Sequence, residues 1–175
     1  MKRPVVFLDR DGTIIEDKRF LGDPAGVEFL PTAVEAIKLL GERGYATVVV
    51  SNQSGVARGY FDDATVERVN AEIARRLAAG GAVIDAWYWC SHYDEGCECR
   101  KPLPGMIERA LREHPFTLAG GAVIGDRGLD IELGHGVGIP AVLVPSRLYP
   151  YVGPEPDFRA PTLLDAAQWI VNRGA

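Results

Sequence analysis

The sequence predicts an α/β fold in which a mainly parallel sheet is covered by helices on both faces. Three observations support this prediction. Short apolar runs alternate with helical patterns, most of these runs end in polar or glycine-containing residues, and no insertion of domain size interrupts the series. With 175 residues, 47% of them hydrophobic, the chain is long enough to form one well-packed domain over residues 1–175. We therefore expect a single, doubly wound (Rossmann-like) domain.

The first predicted strand covers residues 5–8 and ends in two carboxylates, Asp9 and Asp11, followed by Gly12 and Thr13. In a parallel sheet this places both acids at the carboxyl edge, where open α/β folds bind their ligands. Two acids this close repel each other unless a cation lies between them or one of them holds a proton. The alternative is an Asp-rich turn that caps the next segment.

A mixed segment over residues 14–30 follows and is either a solvated loop or a lip over a substrate. Thr32 and Glu35 then have the spacing of a capping box, which predicts that a helix begins there. This helix is expected to stop at Gly41 or Gly44.

The apolar residues 46–50 predict a second strand, which delivers the polar loop 51–59 to the same edge of the sheet. Asp62 or Asp63 is then expected to cap a helix that runs to about Ala79. The remaining elements alternate in the same way, with strands over residues 82–89, 121–124 and 141–144 and helices over residues 104–113, 129–136 and from Thr162 onward. Residues 145–161, which contain five prolines, are predicted to form an ordered surface loop.

The only three cysteines, Cys90, Cys97 and Cys99, lie within ten residues of one another and enclose His92. An odd, clustered set in a reducing compartment indicates a metal site rather than disulfides. Three thiolates and an imidazole form a closed, tetrahedral ligand set for structural zinc, with no open position for water. The alternative is that the four residues are unrelated to one another and do not form a common metal site.

The net charge of −5 argues against a general nucleic-acid binder or a membrane-surface binder, since either would need a basic face. No apolar run approaches the roughly 18 residues that span a bilayer. Residues 1–4 run directly into the first strand and leave no room for a signal peptide. We therefore expect a cytoplasmic monomer whose partner is a small molecule, with neither nucleic acid nor membrane as a partner.

The stretch Asp-Arg-Asp-Gly-Thr after an apolar strand closely resembles motif I of the haloacid-dehalogenase-like (HAD) phosphatases. The resemblance implies that Asp9 is the nucleophile and forms an aspartyl-phosphate. It also implies that Asp11 is the general acid and then the general base, and that both acids help to hold Mg²⁺. A carboxylate is a competent covalent nucleophile, and a hard divalent cation neutralises phosphoryl charge.

Three further stretches resemble the other HAD motifs. The loop 51–59 resembles motif II, which implies that Ser51 holds a phosphoryl oxygen; the alternative is an ordinary polar turn. Lys101 takes the place of the motif III lysine, although a lone Arg-Lys pair is more often a solvated surface feature. Asp126 corresponds to the third Mg²⁺ carboxylate of motif IV, with Asp130 orienting the shell, while a helix N-cap is the alternative for Asp126. The resemblance also implies a set of substrate-binding residues: Asn52, Gln53, Ser54, Arg58, Arg100 and Arg127.

Taken together, the stretches over residues 9–14, 51–59 and 90–106 resemble one HAD subfamily without a large cap domain. That subfamily contains the D-glycero-D-manno-heptose 1,7-bisphosphate 7-phosphatases and the histidinol-phosphatase domain. The resemblance implies removal of the C7 phosphate of a heptose bisphosphate, as in the synthesis of activated heptose and lipopolysaccharide core. The alternatives are a histidinol-phosphate phosphatase, a nucleic-acid 3′-phosphatase and a non-catalytic domain that binds a phosphorylated ligand.

Overall fold

The centre of the molecule is a sheet in which every strand runs parallel to its neighbours, in a computed structural model that describes residues 1–174. The strands are β1 (Arg3–Leu8), β2 (Ala46–Asn52), β3 (Ala86–Cys90), β4 (Phe116–Gly125), β5 (Ala141–Leu143) and β6 (Phe158–Arg159). Their spatial order is β3-β2-β1-β4-β5-β6, so β1 lies inside the sheet between β2 and β4. The predicted α/β fold with a parallel sheet is therefore confirmed.

Helices cover both faces of the sheet. They are α1 (Ala33–Glu42), α2 (Asp63–Ala79), α3 (Gly105–Glu113), α4 (Gly128–Gly136) and α5 (Leu163–Arg173), with one turn of 3₁₀-helix at Pro24–Gly26. Successive side chains of a strand point to opposite faces. Val6 and Leu8 accordingly pack with α1, α2 and α5, whereas Val5 and Phe7 pack with α3 and α4. Residues 5–8 of β1 are fully buried on both faces, which explains why all four are apolar.

The start of α1 differs from the prediction. Thr32 has a left-handed backbone (φ 68°) and makes no capping hydrogen bond, so the predicted capping box with Glu35 is wrong. The Thr32 hydroxyl instead accepts a hydrogen bond from the Leu164 amide at 3.2 Å, which joins the start of α1 to α5. The helix ends at Glu42, between the two glycines expected to stop it.

The other two predicted caps are confirmed. The Asp62 side chain accepts from the Thr65 amide at the start of α2, and the Thr162 side chain accepts from the Asp165 amide at the start of α5.

Two strands begin at a different residue than predicted, and one strand was not predicted. β3 begins at Ala86 rather than at residue 82, because Thr47 holds the preceding segment through its bonds to Val83 and Asp85. β4 begins earlier than expected, at Phe116, and its pairing with β1 shifts register between Pro4 and Val6. β6 was not predicted, since two residues inside a proline-rich segment are too short to produce a pattern.

The parallel arrangement brings the ends of four strands to one edge of the sheet. β1 ends just before Asp9, β2 ends with Ser51 and Asn52, β3 ends at Cys90, and β4 leads into Asp126. The residues singled out in the sequence therefore lie along a single edge. Within residues 1–174, no helix is both long enough and apolar enough to cross a membrane.

Candidate active site

A buried lysine joins two of the acids at the carboxyl edge of the sheet. Lys101 Nζ lies 2.8 Å from Asp9 Oδ1 and 2.7 Å from Asp130 Oδ1. The side chains of Lys101 and Asp130 are each 1% exposed, so water screens these ion pairs very little. The backbone of Lys101 is also fixed, because its amide donates to Asn52 Oδ1 at 2.9 Å and its carbonyl accepts from Asn52 Nδ2 at 3.2 Å.

Burial and neighbouring charges shift the pKa values of both Asp9 and Lys101. Burial raises the pKa of Asp9 well above its usual value, and the Lys101 charge opposes the rise. Burial alone would lower the pKa of Lys101, but the charges of Asp130 and Asp9 outweigh it and raise the pKa. Lys101 is therefore a permanent positive charge beside the predicted nucleophile.

Asp126 is the third acid of the cluster and has the properties of a metal ligand. It is 2% exposed, and both of its carboxylate oxygens are buried without a hydrogen-bond partner among the described residues. Burial, reinforced by the charge of Asp130, raises the pKa of Asp126 to about 6, while Ser146, Arg127 and Lys101 act in the opposite direction. Carboxylate oxygens of Asp9, Asp126 and Asp130 all lie within 4.8 Å of one another, a donor set that fits a hard cation such as Mg²⁺.

Gly12 leaves the space that Asp126 occupies. A Cβ atom at position 12 would lie 2.3 Å from Asp126 Oδ2, and the backbone of Gly12 is in the left-handed region (φ 89°). Only glycine adopts this conformation without cost and without contact with the carboxylate. The glycine of the first motif is thus needed to bring Asp126 against the turn after β1.

The carboxylate of Asp11 does not belong to this cluster. It forms two hydrogen bonds with Arg10, at 2.9 and 3.0 Å, and one with Gln53 Nε2 at 2.9 Å. Asp11 and Asp9 line the same cavity, so both predicted catalytic acids face one space. In this arrangement three hydrogen bonds from protein donors hold the Asp11 side chain.

Ser51, near the end of β2, and Gln53, directly after that strand, are both deeply buried. Ser51 is 3% exposed and Gln53 is 5% exposed. Gln53 Nε2 donates to Ser51 Oγ at 2.7 Å as well as to Asp11. Gln53 therefore connects the predicted phosphate-holding hydroxyl to the predicted acid–base carboxylate.

A cavity of about 250 Å³ opens above the acids, and its mouth is rich in arginine. All predicted substrate-binding residues line it: Asn52, Gln53, Ser54, Arg58, Arg100 and Arg127. The guanidinium of Arg58 lies 3.9 Å from the ring centre of Tyr93, and that of Arg127 lies 3.8 Å from the ring centre of Tyr149. Stacking of this kind orients a guanidinium while leaving its N–H groups free for a ligand.

The segment after the first motif also contributes to the wall. Asp17, Arg19 and Phe20 line the cavity, which agrees with the interpretation of this segment as a lip. Sequence reasoning missed Tyr149 as a lining residue. Tyr149 lies in the proline-rich segment, where no periodicity indicates which side chains face inward.

The predicted zinc ligands lie together at the end of β3 and in the loop that follows. His92 Nδ1 lies 3.4 Å from Cys90 Sγ and 3.2 Å from Cys99 Sγ, and Cys97 Sγ lies 3.7 Å from Cys90 Sγ. One ligand atom from each residue fits within 4.8 Å of the others. In this structure Cys90 and Cys99 are paired as a disulfide and Cys97 is a free thiol. The expected absence of a disulfide therefore differs from the structure, although the expected grouping of the four residues does not.

Comparisons with known proteins find relatives that are phosphatases or HAD-like proteins. A family model described as polynucleotide kinase 3 phosphatase matches residues 4–119, and one described as HAD-hydrolase-like matches residues 98–166. The D-glycero-β-D-manno-heptose-1,7-bisphosphate 7-phosphatase of Bordetella bronchiseptica is 39% identical over 142 residues, which cover 80% of this chain and 79% of that protein. The enzyme of the same name from Escherichia coli K12 is 32% identical over 177 residues, covering 97% of this chain and 88% of that protein.

Solved structures agree with these relatives. The crystal structure of the D,D-heptose 1,7-bisphosphate phosphatase from B. bronchiseptica, complexed with magnesium and phosphate, superposes with a TM-score of 0.86 at 33% identity. The match covers 97% of this chain and 99% of that chain. A putative HAD-like phosphatase from Mesorhizobium loti superposes with a TM-score of 0.85 at 30% identity and covers 98% of this chain and 87% of that chain.

Proposed function

The chain belongs to the HAD-type D-glycero-D-manno-heptose-1,7-bisphosphate 7-phosphatase family, and from this membership we propose that it is a Mg²⁺-dependent phosphatase acting on that sugar bisphosphate. It would remove the C7 phosphate through an aspartyl-phosphate intermediate. The single observation that best supports the chemistry is the buried group in which Lys101 Nζ contacts both Asp9 and Asp130. It lies beside the Asp126 carboxylate, whose oxygens are buried without a hydrogen-bond partner among residues 1–174. A binding domain would not need a nucleophile, a fixed cation and a cation site together.

In the first half of the proposed reaction, the Asp9 carboxylate attacks the phosphorus of the C7 phosphate. The bond between phosphorus and the sugar oxygen breaks, and Asp11 gives its proton to that oxygen as it leaves. Lys101 lies 2.8 Å from Asp9 and offsets negative charge on the transferring group. Ser51 and the backbone amides of its loop would hold the phosphoryl oxygens.

In the second half, water attacks the aspartyl-phosphate and Asp11 takes the proton from that water. The bond between phosphorus and the Asp9 oxygen breaks, which releases inorganic phosphate and restores the carboxylate. The same residue serves as acid and then as base, so each turnover returns Asp11 to its starting protonation state.

Asp9, Asp11 and Asp126 would hold Mg²⁺, and Asp130 would orient this group through its ion pair with Lys101. The bound cation supplies charge neutralisation for the transferring phosphoryl group. The fit is supported by the buried Asp126 oxygens, which have no donor within the described part of the chain, and by the room that Gly12 leaves for them.

The arginines at the mouth of the cavity would bind the phosphate that the enzyme retains. The chain carries a net charge of −5, so the attraction for a dianion must come from local cations. Arg58, Arg100 and Arg127 lie around one cavity, and planar guanidinium groups suit bidentate contact with phosphate. We therefore assign these three residues to the C1 phosphate and the sugar.

We further propose that Cys90, His92, Cys97 and Cys99 bind structural zinc in the reduced protein. For Zn–S bonds of about 2.3 Å and Zn–N bonds of about 2.0 Å, tetrahedral geometry separates neighbouring ligand atoms by roughly 3.5–3.8 Å. The observed separations of Cys90 Sγ from Cys97 Sγ and from His92 Nδ1, 3.7 and 3.4 Å, lie close to these values. A disulfide and zinc thiolates exclude each other, so thiol titration and zinc content measured on one sample distinguish the two states.

The proposed activity is tested by phosphate release with Mg²⁺ from both anomers of the heptose bisphosphate and from histidinol phosphate, with Asp9→Asn protein as the blank. We expect the bisphosphate to be preferred and the blank to be inactive while remaining folded. Preference for histidinol phosphate would reassign the substrate while leaving the proposed catalytic roles intact. Absence of phosphate release from all of these esters would leave a binding role.

A nucleic-acid 3′-phosphatase is the second candidate, because the family model that matches residues 4–119 carries that description. The net negative charge of the chain works against it, since binding to a nucleic-acid backbone depends on clustered cations. A 3′-phosphorylated oligonucleotide, included as a further substrate at low salt, tests it directly. Turnover of the oligonucleotide above that of the heptose bisphosphate would favour this candidate.

A further inference from the structure

Arg10, the residue between the two predicted catalytic acids, is among the most deeply buried large side chains of the molecule. It is 1% exposed, although it carries a permanent charge. A buried guanidinium is costly unless its N–H groups are paired. The hydrogen-bond partners of the Arg10 guanidinium therefore indicate its role.

Two of these partners are the oxygens of Asp11. Arg10 Nε donates to Asp11 Oδ2 at 2.9 Å, and Nη2 donates to Asp11 Oδ1 at 3.0 Å. This is a two-point contact between adjacent residues, and it fixes the plane of the carboxylate. A lysine could supply the same charge but not the same geometry, because its ammonium is a point charge on a flexible stem.

The third partner connects this pair to helix α2. Arg10 Nη1 donates to Asn70 Oδ1 at 3.0 Å, and Asn70 is itself 7% exposed within the helix. Because Asn70 lies on a long helix packed against the sheet, the guanidinium has a rigid support. The orientation of Asp11 is thus linked to an element that contributes no residue to the lining of the cavity.

Counting acceptor positions shows what this arrangement leaves available. An ionised carboxylate has about four lone-pair positions, two on each oxygen. On Asp11, Oδ2 accepts from Arg10 and from Gln53, whereas Oδ1 accepts from Arg10 alone. One acceptor position remains, and it lies on Oδ1. The side chain of Asp11 is 18% exposed and lines the cavity, so this position can be reached from the substrate space.

We propose that Arg10, supported by Asn70, is the positioning residue of the acid–base carboxylate, and that it makes Asp11 Oδ1 the oxygen that exchanges the proton. The inference rests on the proposed function, in which Asp11 protonates the leaving oxygen and later deprotonates water. The arrangement serves both steps without movement of the side chain. When Oδ1 carries the proton, Oδ2 still accepts from Arg10 and Gln53, and when Oδ1 is free it can accept a proton from water.

The test compares two phosphate esters that differ in their need for an acid. The alkoxide of a sugar is a poor leaving group and requires protonation, whereas p-nitrophenolate leaves without it. General acid–base catalysis contributes roughly 10²–10⁴-fold. We expect Arg10→Lys to lower the rate of phosphoryl transfer from the heptose bisphosphate by about 100-fold, because the charge remains while the two-point contact is lost.

With p-nitrophenyl phosphate, Arg10→Lys should give a different result. Formation of the aspartyl-phosphate should proceed within a few-fold of the wild-type rate, while the later attack of water, which still needs Asp11 as base, becomes slow. The expected record is a rapid burst of p-nitrophenolate approaching one equivalent per active site, followed by slow turnover. A residue needed only for folding would lower both rates equally and produce no burst.

Asn70→Ala provides a second variant in case Arg10→Lys does not fold. It should also slow the reaction with the heptose bisphosphate and give a burst with p-nitrophenyl phosphate, and its loss of rate should be smaller. Asn70→Asp keeps an acceptor for Arg10 and should restore the wild-type pattern. Glu67→Gln, at an exposed position of the same helix, is the matched control. If folded Arg10→Lys and Asn70→Ala lose the same fraction of the rate with both esters, or lose none with either, this inference is overturned. The proposed function would not be affected by that result. A wild-type protein without activity on any ester would overturn the proposed function and this inference with it.

Discussion

At the scale of single residues, the structure brings Asp9, Lys101 and Asp126 together at the carboxyl edge of the sheet, as the order of the motifs indicates. The motifs do not indicate which side chains support others. Gln53, expected to bind substrate, also joins Asp11 to Ser51. Sequence spacing places residues at one edge of a sheet, but it does not reveal which donors share an acceptor once the side chains are packed. For that reason the part played by Arg10 emerged only from the structure.

Replacement of Gly12 tests the geometry around Asp126. Gly12→Ala introduces a Cβ at 2.3 Å from Asp126 Oδ2, and the displaced carboxylate should weaken Mg²⁺ binding. We expect activity at saturating substrate to require a Mg²⁺ concentration at least tenfold higher, on the order of 1.4 kcal/mol of lost binding free energy. The measurement is the Mg²⁺ dependence of phosphate release.

Gly44→Ala is the matched control for this substitution. Gly44 has a similar left-handed backbone (φ 83°), but a Cβ there meets no atom within 4 Å. Both variants should lose roughly 1–2 kcal/mol of unfolding free energy through backbone strain, and only Gly12→Ala should change the Mg²⁺ dependence. An unchanged Mg²⁺ dependence in Gly12→Ala would contradict the assignment of Asp126 as a ligand.

At the scale of elements, the sequence predicted the alternation of strands and helices and misplaced several ends. The start of α1 depends on Thr32, whose hydroxyl bonds to the Leu164 amide 132 residues away. β3 starts late because Thr47 and Asp85 hold each other at the entrance to β2. In both places the end of the element depends on hydrogen bonds between residues far apart in the sequence, which a local pattern does not indicate.

Cys97→Ser tests whether zinc organises the loop after β3. We expect zinc content to fall from about one equivalent to well below it. If free zinc exceeds its dissociation constant a hundredfold, the lost binding lowers the unfolding free energy by about 3 kcal/mol. Zinc analysis and urea unfolding measure the two quantities, and Glu98→Gln, at an exposed position in the same loop, should leave both unchanged. Retention of one zinc in Cys97→Ser would show that the ligand set is wrong.

At the scale of the whole molecule, the acids that form the site reduce the stability of the fold that carries them. Asp9 and Asp126 are buried carboxylates whose pKa values lie above the usual range, so the folded protein holds these charges at a cost. Burial of apolar side chains offsets this free-energy cost, because a separate apolar core covers each face of the sheet and the central strands belong to both cores. The motifs predicted this concentration of charge, whereas its energetic effect depends on burial, which only the structure gives.

This cost predicts a pH dependence of stability in Mg²⁺-free buffer. The pKa of Asp126 is about 6 in the folded protein, against an ordinary value of 3.8. The folded state therefore binds more protons between these values, and the unfolding free energy should fall as pH rises from about 4 to about 6, by up to roughly 3 kcal/mol. Asp126→Asn should lack this part of the fall in unfolding free energy, because its side chain does not titrate. Urea unfolding of both proteins at pH 4 to 7 measures it, and a constant difference between them across that range would contradict it.

We also infer that the described residues, 1–174, fold as one domain, because the strands of a single sheet contribute to both cores. Urea unfolding of the zinc-loaded protein should then show one cooperative transition. Tryptophan fluorescence, which reports on β3 and α5, and far-ultraviolet circular dichroism should give the same midpoint. Separate midpoints would indicate two units.

The wall of the cavity has a consequence for how such an enzyme can diversify. Asp17 and Phe20 come from the segment after β1, Arg100 from the loop after β3, and Tyr149 from the segment after β5. Asp11 and Lys101 lie in two of these connections as well, but hydrogen bonds fix their positions. Insertions and substitutions in these three connections can therefore change which esters are admitted without disturbing the chemical step. Selection can act on substrate range and on catalytic competence as two largely independent traits.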